Sequence, residues 1–199
     1  SSFKMDNISL KPVQMGNHGT TTFYGDEQIS ATNDRTFAGA SNWANAGGSN
    51  AFDFYDDNTG GVLTVIPDDD ASNGQYCTLD GANWEDADGA SGEAMVVGRT
   101  YRLSYKLTIT SYSKGTLGVG MANDATSFQD YNSYSANQPE TTETVDFVYD
   151  SDIDIILIYA YTSCVLTAVF DDFSIKEVGV AAGWTTADAE PLIPQTALM

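Results

Sequence analysis

The sequence predicts an all-β fold, a two-sheet antiparallel jelly-roll sandwich with extended terminal segments. Apolar and polar residues alternate with period two through most of the chain, clusters rich in Gly, Asn and Asp separate these runs, and helical periodicity is almost absent. Such alternation puts every second side chain on one face of a strand, so each run needs another apolar layer to cover it. Two stacked sheets supply that layer.

The clearest run is TYRLSYKLTI, which places Tyr101, Leu103, Tyr105, Leu107 and Ile109 inward and Arg102, Ser104, Lys106 and Thr108 outward. GTLGVGM turns Leu117, Val119 and Met121 in and Gly118 and Gly120 out, and TVDFVYD turns Val145, Phe147 and Tyr149 in. DIDIILIYAY aligns Ile153, Ile155, Leu157, Tyr159 and Tyr161 on one face, while GGVLTVIP and VFDDFSI are shorter strands. DDNTGG, PDDDASNG, DADGASGE, SYSKG and ANQPE are the turns between them. A sandwich of residues 34–178 follows, in preference to a propeller or closed barrel.

The ends pose a separate question. FKMDNISLKPVQ (3–14) resembles VFDDFSIKEVG (169–179), so the chain carries two versions of one closing strand. One sandwich has one closing slot. Residues 1–13 are therefore expected to close a preceding module or act as an exchanged arm, residues 14–33 to form a joint, and 179–199 to lead into a next module. The absence of an initiator Met fits a piece of a longer protein.

Twenty-eight Asp and Glu against eight Lys and Arg give a formal net charge of -20. Such a surface repels phosphate backbones and anionic bilayers, so nucleic acid is excluded as a partner. Membrane insertion is not expected either, because no run approaches the roughly 20 apolar residues of a spanning helix. Cys77 and Cys164 lie in strand-like runs, where they either pair or pack as buried thiols, with the thiols expected.

Taken together, NDRTFAGASNW (33–43), GGVLTV, GQYCTL, VGRTYRLSYKLT and FDDFSIKEV resemble the family 4/9 carbohydrate-binding modules. That resemblance covers about three-quarters of the chain and implies a jelly-roll, non-catalytic module that binds glycans. It also implies a structural calcium ion (Ca2+) held by Asp34 and Asp171 or Asp172, although Ala38 stands where the family has an acidic ligand. An Asp that only caps a turn is the alternative. MGNHGTTTFYGDEQISATNDRTF and GVAAGWTTADAEPLIPQTALM resemble joints between modules of bacteriophage virion proteins. They imply a virion-surface, extracellular location, as in a tail fibre or decoration protein, with neighbouring virion subunits and a host cell-surface glycan as partners.

Sugar binding needs rings that stack on pyranose C–H surfaces and polar groups that read hydroxyls. Tyr55, Trp84, Tyr131 and Tyr134 stand in polar segments where a buried ring is not expected, and Arg102 and Lys106 offer an outward polar row beside Gly118 and Gly120. His18, the single histidine, lies in a turn-like MGNHG without a nucleophile pattern, and no carboxylate pair is marked as a glycosidase dyad. Asp150, Asp152 and Asp154 are expected to protect a strand edge. The chain is thus expected not to be an enzyme. A spacer without ligand and an accessory module of a secreted polysaccharide-degrading enzyme are the alternatives.

Overall fold

The computed structural model describes residues 24–84, 95–125 and 127–179. In chain order its elements are β1 (Tyr24–Glu27), α1 (Thr32–Thr36), β2 (Ala44–Asn45), β3 (Phe54–Asp56), β4 (Leu63–Ile66), β5 (Gln75–Asp80) and β6 (Thr100–Lys114). Then come β7 (Leu117–Asp124), β8 (Ser127–Tyr134), β9 (Gln138–Val148), β10 (Ile155–Ala160) and β11 (Val165–Val178). One sheet has the order β3-β4-β11-β6-β9, with β1 also paired to β11, and the other has the order β2-β5-β10-β7-β8. All the strand pairings are antiparallel. The described residues form the predicted two-sheet jelly-roll sandwich.

The core lies between the sheets, where the alternation puts it. Tyr101, Leu103, Tyr105, Leu107 and Ile109 of β6 are buried, and Leu117, Val119 and Met121 face them from β7. Each fully buried Leu or Ile contributes about 1.5–3 kcal/mol relative to exposure. α1 and the loop behind it plug one end of the sandwich, because Phe37 and Trp43 pack on Phe173 with ring centroids 6.1 and 4.8 Å away. Cys77 and Cys164 are buried free thiols, and burial pushes the Cys77 thiol well up.

Three details depart from the sequence expectation. Residues 24–33 are no free joint: β1 pairs with β11, Ile29 is fully buried, and the Glu27 carboxylate accepts from the Ile175 N–H at 2.9 Å. The β10 phase is reversed. Ile156, Ile158 and Ala160 face the core, which leaves Ile155, Leu157 and Tyr159 on the outer face. Residues 150–154 form a turn before β10, with the Asp152 N–H donating to Asp150 Oδ1 at 2.9 Å, so they line no strand edge. The expected strand 3–13, His18 and residues 180–199 lie outside the described residues.

A candidate ligand-binding face

The reversed phase of β10 builds the site. Register places Tyr159 between Tyr76 of β5 and Gly118 of β7, and Leu157 between Thr78 and Gly120. β8 then sets Tyr131 beside Gly120 and Phe128 beside Ala122. The outer face of the five-stranded sheet is therefore an aromatic layer. Tyr76 stacks on Tyr159 at 6.2 Å between centroids, and Phe128 on Tyr131 at 4.5 Å. Edge contacts join Phe128 to Tyr159 at 6.4 Å and Tyr159 to Tyr161 at 5.0 Å.

The two β7 glycines make room for this layer. A Cβ at Gly118 would come within 2.9 Å of the Phe128 ring, and one at Gly120 would strike the Asp130 and Tyr131 backbone. Rings lie where side chains would otherwise stand. On the same face Leu157 is fully buried, although it points away from the core, whereas Tyr131 and Tyr161 remain 47% and 41% exposed. Burial raises the Tyr161 phenol above its ordinary value, and the Tyr131 hydroxyl beside it adds to the rise. Both hydroxyls are placed to exchange hydrogen bonds with a ligand's hydroxyls.

The six residues expected to bind glycan do not come together. Tyr131 lies on the aromatic face. Trp84 is fully buried, with its indole N–H directed at the Leu79 carbonyl, so its ring meets no ligand. Tyr134 is also buried, its hydroxyl 2.7 Å from that of Tyr105, and Tyr55 packs against the core. Arg102 and Lys106 project from β6 on the opposite side of the sandwich from Gly118 and Gly120. Arg102 is engaged by Asp146 and Lys106 by Asp172 at 2.7 Å.

The expected calcium ligands each have protein partners. Asp34 is fully buried and closes its own loop, accepting from Asn42 N at 2.6 Å and Asn42 Nδ2 at 2.9 Å. Asp171 accepts from the Asp172 N–H at a bulge, and burial raises its carboxyl above the ordinary value. Among the described residues no group of three or more His, Cys, Asp or Glu is placed to hold a metal ion.

Tyr76, Phe128, Tyr159 and Tyr161 were missed by sequence reasoning. The available signal was that β10 is apolar in both phases: a strand buried on both faces must have a cover on its outer one.

No protein-family model matches the chain, and no curated protein is similar to it in sequence. Among solved structures it is similar to a family 4 carbohydrate-binding module, with 18% identity, 68% of this chain and 94% of that one covered, and a TM-score of 0.45. The ligand-free BiXyn10A CBM1 structure shows 14% identity, 72% and 93% coverage, and a TM-score of 0.48. A variant family 29 module complexed with cellulohexaose shows 11% identity, 83% and 98% coverage, and a TM-score of 0.44.

Proposed function

We propose that this chain is a non-catalytic glycan-adhesion module that holds a neutral sugar chain on the outer face of its five-stranded sheet. The observation that carries the reading is the pair of half-exposed rings, Tyr131 and Tyr161, held in place by Phe128 and Tyr159. A ring fixed before binding loses little conformational freedom when a sugar stacks on it. Charge selects the kind of sugar. Arg35, Arg99, Arg102, Lys106, Lys114 and Lys176 all lie outside the strands of this sheet, which contribute Asp80, Asp124 and Asp130. Among the described residues an anionic chain would lose hydration here without gaining a cation.

The setting proposed is a bacteriophage virion surface, where the module would adhere to host-surface glycan, and the resemblance of the flanking segments supports it. Binding of the full chain to a glycan array, followed by calorimetry, tests the site. Neutral oligosaccharides should bind, and Tyr131→Ala or Tyr161→Ala should each weaken binding by about tenfold or more, as truncating an aromatic anchor commonly does. The ligand should be recovered without reducing-sugar release. Unchanged binding by variants that melt like the parent would remove the aromatic face from the site.

A further inference from the structure

A groove of about 300 Å³ crosses the outer face of the six-stranded sheet, lined by Tyr24, Arg102, Ser104, Thr142, Thr144 and Lys176. We propose that it is a second ligand site, selective for an acidic pyranose carrying a carboxylate or sulfate group. It uses no residue of the aromatic face, so the two sites stand or fall separately.

The groove has a fixed wall, a polar floor and one uncompensated charge. Its wall is the Tyr24 ring, 47% exposed yet held in place: Arg102 Nη1 donates to the Tyr24 hydroxyl at 2.6 Å, and the guanidinium lies 5.6 Å from the ring centroid. Asp146 holds Arg102 in turn through two hydrogen bonds, at 2.5 and 2.7 Å. Ring and guanidinium are set before any ligand arrives.

The hydroxyls of Ser104, Thr142 and Thr144 form no hydrogen bond among the described residues, and small outward side chains leave room above them. They supply the donors and acceptors that a sugar's own hydroxyls require. Ser174, also in the lining, is already committed to Glu27.

Charge settles the class of ligand. Asp146 is compensated by Arg102, while Glu27 accepts from Ser174 Oγ and the Ile175 N–H and faces Arg35 at 3.9 Å. Lys176, the register partner of both Arg102 and Glu27, has no ion pair among the described residues. Its ammonium is the free positive charge of the groove, and it is notable in a chain of net charge -20. A neutral sugar would leave it unanswered. A carboxylate or sulfate on a ring stacked at Tyr24 would pair with it in a site partly shielded from water.

The test is an NMR titration of the full chain with oligogalacturonides in one arm, sulfated galactan oligosaccharides in a second and neutral xylooligosaccharides in a third. At least one acidic arm should shift amides of β6, β9 and β11, whereas the neutral arm should leave them unmoved. Tyr24→Ala and Lys176→Ala should each cut acidic-sugar affinity by about tenfold, Lys176→Arg should retain most of it, and raising salt should weaken it. Tyr131→Ala should have no effect in the acidic arms. Two outcomes overturn the site: neither acidic sugar shifts these strands, or Lys176→Ala, melting like the parent, binds as well as the parent. Which acidic arm binds tells carboxylate from sulfate.

Discussion

The two outer faces of this sandwich solve the same problem in opposite ways. Each covers a sheet whose inner side is core, yet the six-stranded sheet meets water through ion pairs and hydroxyls, and the five-stranded sheet through a layer of rings. On β6 the outward residues Arg102 and Lys106 are anchored to Asp146 and Asp172, with a hydroxyl between them at Ser104. On β7 the equivalent outward places are Gly118 and Gly120, with Phe128 and Tyr131 from the next strand packed there. One face spends its side chains on pairing charges, and the other removes side chains so that rings can lie down.

This difference predicts where stability resides. Leu157 belongs to the outer side of β10 but is as buried as its core neighbours Ile156 and Ile158. Leu157→Ala should therefore cost about 2–5 kcal/mol, as a core truncation does. Chemical denaturation measures it. A cost below about 1 kcal/mol would mean that the rings do not pack as a layer, and the contrast between the faces would fail.

Gly120→Ala is expected to cost less, about 1–3 kcal/mol, because the added methyl meets backbone of β8, which cannot rotate aside. It should also displace Tyr131 and weaken neutral-glycan binding. Gly118→Ala meets side chains alone, the edge of the Phe128 ring closely and the Tyr131 ring at ordinary contact distance, and should be milder in melting temperature. Equal effects at the two glycines would show that ring and backbone yield alike.

How far the sequence foretold these faces depends on the strand. β6 was legible because its alternation is unambiguous: charged and hydroxyl residues can only face water, so Tyr101 to Ile109 must face in. β10 was not, since Ile155, Leu157 and Tyr159 are no less apolar than Ile156, Ile158 and Ala160, and hydrophobicity could not choose between two apolar phases. Pairing with β5 and β7 decided it, which is tertiary information. Trp84 failed for the related reason that a polar loop sequence reports on its neighbours' exposure, not on the ring's own burial. In the same way, the Asp34 and Asp171 carboxylates found partners close by in the chain, Asn42 and the Asp172 amide.

The smallest effect belongs to the charged face, and its pH dependence gives it a signature. The Arg102 guanidinium, hydrogen-bonded to Asp146, holds that carboxyl below its ordinary value of 3.8. A depressed carboxyl favours the fold while ionised, so its contribution is complete above about pH 4 and disappears as acid titrates it through its lowered folded value. The pair is half open to solvent, which limits it to about 0.2–1 kcal/mol. Asp146→Asn should therefore cost a few tenths of a kcal/mol at pH 7 and pH 5, with the gap to the parent closing below pH 4 in parallel denaturation series. Leu157→Ala, acting through apolar burial, should show the same deficit at every pH. If the Asp146→Asn deficit were equally flat, the ion pair would not be what steadies Arg102 and Tyr24, and the charged face would owe its order to packing, as the aromatic face does.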